Sequence, residues 1–390
     1  MGAYESGKYR NLFKELGKTD EEIELRIKSI VNTFFFGSEE ERIYHPAGDD
    51  MGYLEDTGNH DARTEGMSYG MMMCVQLDMK EEFDRIWKWA KTYMYMSEGE
   101  NEGYFAWSCH TDGSKRAHGP APDGEEFFAM SLFFASHRWG DGSGIFEYSK
   151  EAKEILRACL HKGENGRPGE PMWNRENKLI LFVPGSPFSD PSYHLPHFYS
   201  LFAEWAYEED RVFWKEAADA SRKYLVKACD PVTGMNGEYA KFDGSPLTDP
   251  MPWDSSVHGD FYSDAYRTAA NIGLDAAWYG IDEGHLGAPL KLMRFLGTDL
   301  EAARCVYTTK GDVVEKNVLH PLGLLAATAQ GALAVPPDDG TDEDSDYAVA
   351  LKWVEWLWNQ PPRRGGRRYY DNCLYMFAYL ALSGRYRIWK

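Results

Sequence analysis

The feature that most constrains this chain is an apolar spacing of three and four residues, interrupted repeatedly by Gly, Pro, Asn and Asp. Such spacing predicts amphipathic helices, each with a face to bury. The first follows Lys18-Thr19-Asp20-Glu21-Glu22, where Thr19 and Glu22 have the spacing of a capping box. It runs through Ile23, Ile27, Ile30, Val31 and Phe34. Further helices are predicted to begin near residues 64, 81, 122, 149, 192, 210, 260, 286, 320, 344 and 369, making twelve. Alternate starts lie roughly 60 to 70 residues apart, a loose repeat of helical hairpins. Six hairpins can close into a ring with alternate helices inside. Short strand-like stretches at 104–108 and 178–183 lie in loops, and no βαβ alternation suggests a Rossmann-type sheet. A length of 390 residues alone suggests two or three domains. No linker is visible, however, so residues 1–390 are expected to form one all-α domain. The acidic run from Asp338 to Asp346 reads as a solvated loop.

Acidic residues number 62 and basic residues 42, a net charge of −20. That balance argues against nucleic acid or an anionic membrane as partner, since each needs a basic face. A hydrophobic share of 43% with 27% charged residues excludes a disordered chain. No apolar run reaches the ~18 residues of a membrane span. Residues 1–17 carry Tyr4, Glu5, Lys8, Tyr9, Arg10 and Lys14 and no apolar core of a secretory signal. Cysteines at 74, 109, 159, 229, 305 and 373 form no CxxC pair, which reads as reduced thiols. A cytoplasmic protein is expected. Aromatic residues make up 15% of the chain; the core takes most, and stacking on sugars is a second use for Trp and Tyr.

The alternate helices share a feature at their N-terminal ends. Glu65, Asp123, Tyr193 with His194, Asp264, His320, and Tyr370 with Asp371 all stand there. Taken singly, each reads equally well as a cap or a first-turn carboxylate. In a closed ring they would converge on one rim. Several short motifs point elsewhere and fail. Gly66-Met67-Ser68-Tyr69-Gly70 has the form of a nucleophile elbow, but no strand is expected before it. Asp342, Asp344 and Asp346 resemble the start of a calcium loop, yet Tyr347 stands where glycine is required and Trp353 where the last ligand should be. His194 and His197 lack a companion carboxylate at a metal-site spacing, so a hydrogen-bonding or sugar-contacting role is expected for both. Gly140-Asp141-Gly142-Ser143-Gly144 ends a helix and follows no strand, unlike a phosphate loop. No metal or cofactor is expected.

Paired carboxylates remain. Glycosidic bond cleavage needs one carboxylic acid to protonate the leaving oxygen and a second carboxylate to activate water or attack the sugar. Met67 and Met71–Met73 give Glu65 the apolar surroundings that raise an acid's pKa. Asp264 has a simpler reading as an i,i+3 partner of Arg267.

At these residues the chain resembles glycoside hydrolase family eight, whose members have an (α/α)6 barrel and inverting chemistry. The family's pattern around its central aspartate stands here as Ala121-Pro122-Asp123-Gly124-Glu125, with departures at Pro122 and Glu125. Further matches are residues 57–73, 104–108, 120–127, 188–197, 263–275, Leu319-His320-Pro321 and 367–372. Within the family the likeness is greatest to members that release xylose from the reducing end of short β-1,4-xylo-oligosaccharides. It implies Glu65 as general acid, Asp264 as general base, Tyr193 as holder of the attacking water, and Asp123 as the grip on the sugar before the scissile bond. Leu319-His320-Pro321 would form a wall beyond the first reducing-side sugar, with His320 reading the anomeric hydroxyl. Arg63, Trp107, His197, Arg267 and Tyr370 would be further substrate contacts. Asp260 is a possible extra acid beside the base. The expected partner is the xylo-oligosaccharide alone, with the protein a monomer. Alternatives are an endo-acting member of the family, a sugar isomerase or epimerase on a similar barrel, and a non-catalytic glycan-binding protein.

Overall fold

Helices carry the chain, as the spacing predicts. The computed structural model describes residues 1–251, 256–280, 283–297, 302–338 and 342–390. Among these, two single turns, Ala3–Ser6 and Leu12–Glu15, precede twelve longer helices. These are α1 (Asp20–Phe36), α2 (Thr64–Leu77), α3 (Lys80–Trp89), α4 (Pro122–Trp139), α5 (Tyr148–His161) and α6 (Pro196–Trp205). There follow α7 (Arg211–Ala228), α8 (Arg267–Tyr279), α9 (Glu283–Leu296), α10 (Pro321–Gln330), α11 (Asp346–Trp358) and α12 (Arg368–Leu382). The capping box at Thr19 and Glu22 opens α1.

Two starts differ from expectation. The helices placed at 192 and 260 begin at Pro196 and Arg267, and single 3-10 turns, Pro191–Tyr193 and Ser263–Tyr266, stand in front of them. Proline suits the first position of a helix, because its missing N–H has no partner there, and it drives the residue before it out of helical geometry. Ser263 has φ +42°, left-handed for a residue with a Cβ, and breaks any continuous helix into Arg267. Tyr193 and Asp264 therefore sit on tight turns outside the helices proper.

Each even-numbered helix packs on the next, α2 on α4, on to α10 on α12, and α12 returns to α2. α2, α4, α6, α8 and α10 each also pack against the odd-numbered helix that follows, and α12 packs against α1. Burial follows this division. Nearly all of α2 and the whole of α12 are buried. By contrast α3 buries only the stripe Phe83, Ile86, Trp87 and Trp89, and turns its charges to solvent. Met67 and Met71–Met73 belong to this common core. So do Trp87, Trp89, Trp173, Trp214, Trp278 and Trp353, which places Trp173 away from any sugar surface. No helix among the described residues is long and apolar enough to cross a membrane.

Strands are short and confined to the loops. β1 (Tyr44–Ala47) pairs antiparallel with β2 (Met51–Leu54), and β3 (Asp61–Arg63) with β4 (Ser108–His110). β5 (Asp260–Phe261), β6 (Val306–Thr308) and β7 (Val313–Glu315) form the third sheet. The stretches expected at 104–108 and 178–183 are mostly isolated bridges, Tyr95 to Phe105 and Trp173 to Ile180. Contrary to expectation, a strand does precede the Gly66–Gly70 motif. Ser68 is nonetheless buried inside α2, with its hydroxyl donating to the Glu65 carbonyl. Part of the acidic run, at 339–341, and residues 252–255 before Asp260 lie outside the described residues.

Candidate active site

The β3–β4 pair brings two segments to one edge. The backbone N–H of Thr64 donates to the Trp107 carbonyl at 3.0 Å, so Trp107 lies beside the start of α2. Arg63, the residue before that helix, meets Asp56 at 3.2 Å and Asp61 at 3.1 Å, and its guanidinium stands 5.3 Å from the Trp107 ring centre. Glu65 follows in the first turn. Asp123 occupies the same place on α4, behind Pro122. The two helix ends meet closely because residue 124 is glycine; a Cβ there would lie 2.4 Å from the Thr64 Cβ. On the opposite side, Asp190 caps the turn bearing Tyr193, accepting the Ser192 N–H at 2.7 Å.

Arg267, in the first turn of α8, joins these pieces. Its side chain is 4% exposed. Nη1 donates to Glu65 Oε2 at 2.9 Å, the Tyr69 hydroxyl at 2.8 Å and Asp123 Oδ2 at 3.2 Å. Nη2 lies 3.4 Å from Asp264 Oδ1 and 3.9 Å from Asp190 Oδ2. The i,i+3 pair read from the sequence is present, as one spoke of a larger hub.

One cation cannot balance four buried or half-buried carboxyls, and protons make up the difference. Burial, reinforced by the charges of Asp123 and Asp264, raises the Glu65 pKa to about 8, against the pull of Arg267 and a hydrogen bond from Tyr369. Burial likewise raises Asp123 to about 6 and Asp190 well above the ordinary range. The result is a carboxyl, Glu65, that holds its proton near neutrality. It stands across one guanidinium from Asp264, the most open of the four at 29%. That pairing suits acid–base work on one bond. Burial also keeps the Tyr193 hydroxyl protonated, so it is available as a donor.

A cleft of about 530 Å³ opens over this cluster. Glu65, Asp123, Tyr193 and Asp264 line its floor, Arg63 and Trp107 one flank, and His320 and Tyr370 another. Its dimensions and aromatic, carboxylate-rich lining fit an oligosaccharide. Residues 50–383 match the sequence profile of Glycosyl hydrolases family 8, and every one of these residues lies inside that span.

The chain belongs to Glycosyl hydrolases family 8.

It is 55% identical over 389 residues to the reducing end xylose-releasing exo-oligoxylanase of Halalkalibacterium halodurans, covering 100% of this chain and 96% of that one. The corresponding enzyme of Paenibacillus barcinonensis is 53% identical, with 100% and 98% covered. The solved structure of the Paenibacillus enzyme complexed with xylose superposes with a TM-score of 0.94 at 52% identity, over 100% of both chains.

Not every expected contact of this family 8 hydrolase reaches the cleft. His197 is buried on α6 and lines a second, small cavity of about 30 Å³ that Arg267 also lines. Burial lowers its pKa to about 3, and its Nδ1 has no protein partner. His197 follows Pro196 on α6 as Asp123 follows Pro122 on α4, but its ring packs against Phe198 and Trp278. Arg267 lies behind the carboxylates and does not line the cleft. Leu319 is exposed beside it, and Pro321 opens α10 with no place in the lining. Asp260, on β5, is half-buried, and burial raises its pKa. Glu125 turns inward, where its carboxyl accepts the Phe105 N–H at 3.0 Å.

Sequence reasoning assigned no role to Asp190, Tyr69 or Tyr369. The Tyr369 hydroxyl donates to Glu65 Oε1 at 2.8 Å across 304 residues of sequence. Only Asp190 had a local signal, an Asp before Pro-Ser that reads as a cap. Phe182 and Tyr239 also line the cleft. Among the described residues no group of three or more His, Cys, Asp or Glu is arranged to hold a metal.

Proposed function

We propose that this hydrolase removes xylose, one unit at a time, from the reducing end of short β-1,4-xylo-oligosaccharides, with inversion at the cleaved carbon. The observation that carries the reading is the pairing of Glu65 and Asp264 across Arg267 on the floor of a cleft that has His320 at its side. Glu65 gives its proton to the leaving oxygen. Asp264 takes a proton from water, which Tyr193 holds in line, and the water attacks from the opposite face. Asp123 grips the sugar whose ring must distort. Inverting enzymes keep the two carboxyls ~6.5–9.5 Å apart so that water fits between them, and placement on the two ends of one guanidinium suits that range.

His320, with Leu319 beside it, is the wall that leaves room for one sugar past the cut. The closed run of contacts through the six inner helices supports an (α/α)6 barrel, with this cleft at the end where their N-termini meet. Five of the six free cysteines are buried and the sixth half-buried, which fits a reducing compartment such as the cytoplasm. The deciding experiment is product analysis from xylotriose carrying ¹³C at its reducing-end carbon. Label in free xylose supports the reading; label in xylobiose sinks it.

A further inference from the structure

Four consecutive residues at the start of α12 each hold a different part of the site. Tyr369 donates to Glu65. Tyr370 donates to the Ser263 carbonyl at 3.3 Å, and its ring meets His320 at 4.9 Å, inclined by 62°. Asp371 meets His320 as well, and with Asn372 it reaches the segments carrying residues 319–323 and 363.

Asp371 is fully buried, yet both oxygens are used. Oδ1 accepts the Gly323 N–H at 2.7 Å, in the first turn of α10. Oδ2 lies 3.1 Å from His320 Nδ1 and also accepts from Arg363 Nη1. That same Arg363 nitrogen donates to the Leu319 carbonyl. Asn372 fixes Arg363 in turn, accepting its backbone N–H and donating to its carbonyl, each at 2.9 Å. The segment 319–323 is thus tied at three points, through Leu319, His320 and Gly323, to one buried carboxylate and its arginine.

We propose that Asp371 and Arg363 are the positioning residues that determine how much sugar fits past the cut; this rests on the exo reading of the site given above. A loop at a cleft edge blocks a polymer only if it is stiff, and loops are ordinarily the soft part of a fold. Here the stiffness comes from the buried tie. Asp371 also sets the chemistry of the wall. A carboxylate at Nδ1 takes the ring hydrogen there, which leaves Nε2 as an acceptor on the cleft side. An acceptor at that place suits a free anomeric hydroxyl, which donates. A continuing glycosidic oxygen has no hydrogen to give, so a longer chain loses the bond and meets the wall together.

The test uses Asp371→Asn and Arg363→Met in the full chain, with xylotetraose labelled by ¹³C at the reducing-end carbon, so that the anomeric hydroxyl stays intact. Wild type is expected to place all label in xylose. Each variant is expected to lose about tenfold in kcat/KM, as for one charge-assisted hydrogen bond, and to place part of the label in xylobiose. Preference for xylotriose over its methyl glycoside should fall in parallel. A slower variant with label still confined to xylose and the preference unchanged would reduce the pair to fold bracing and overturn the proposal. Both acceptors are held by the single nitrogen Nη1, so Arg363→Met, which removes it, must show the redistribution on its own should Asp371→Asn not fold. Label in xylobiose from the wild type would overturn the exo reading itself, a distinct result.

Discussion

A Cβ built on Gly66 lies 2.5 Å from the Tyr369 hydroxyl oxygen. The residue after the proposed acid is therefore what lets that hydroxyl reach it. Gly66→Ala should push Tyr369 aside, at an overpacking cost of about 1–3 kcal/mol, and Tyr369→Phe should remove the same hydrogen bond without strain. This bond lowers the Glu65 pKa. Both variants should therefore move the alkaline limb of the kcat/KM profile upward, with lower kcat. A profile that overlays the wild type in Tyr369→Phe would show that the bond does not tune the acid.

Activity should fall as pH rises through about 8, where Glu65 loses its proton. Stability follows the same group. Its folded pKa is raised from 4.5 to about 8, so between these values the folded state keeps a proton that the unfolded state has released. Stability therefore declines with rising pH across that window. Glu65→Gln should abolish most turnover and remove this contribution to the decline. Melting temperatures of the two proteins from pH 4 to pH 9 check it: the gap should widen in favour of the variant toward alkaline pH.

Arg267→Met leaves four carboxyls without their shared cation. Removing one partner of a buried ion pair costs about 3–5 kcal/mol, and that loss is expected at pH 8. At pH 5 the carboxyls can take up protons in place of the guanidinium, so the cost should shrink. Urea unfolding at both values measures it; an equal loss at both would mean that the side chain matters for packing alone.

Asp264→Asn should lose most activity while binding substrate. In the wild type the shortened oligosaccharide should first appear with its new reducing end in the α configuration, the inverse of the β bond cut. Proton NMR of the first products reads this directly, and β-anomer appearing first would assign a retaining route.

Much of the scaffold is legible in the sequence because helices declare themselves locally. The spacing of Ile23, Ile27, Ile30 and Phe34, and the box at Thr19, need only neighbours in the chain. The rim also follows, since Glu65, Asp123 and His320 stand at or beside starts that periodicity locates. The hub does not follow. Arg267 reads locally as a partner of Asp264, while its bonds to Glu65 and Asp123 span 202 and 144 residues. His197 stands second on its helix, as Asp123 does on α4, yet its ring packs against Phe198 and Trp278, the second of them 81 residues away, a contact that no local pattern announces. The turns at Tyr193 and Asp264 escape the pattern too, being set by Pro196 and by the backbone of Ser263.

The run Tyr369-Tyr370-Asp371-Asn372 carries a consequence for how such a chain can change. Each step along a helix turns the side chain by about 100°, and that rotation is what lets four neighbours reach Glu65, the Ser263 turn, the segment 319–323 and Arg363 between them. A single residue inserted or lost just before α12 would rotate all four together. The proposed acid, the turn bearing the proposed base and the proposed wall would lose their holds in one event. Strength of catalysis and length of product are therefore inherited as a unit in this chain. Point substitutions can retune either one, whereas a shift of reading along that helix forfeits both.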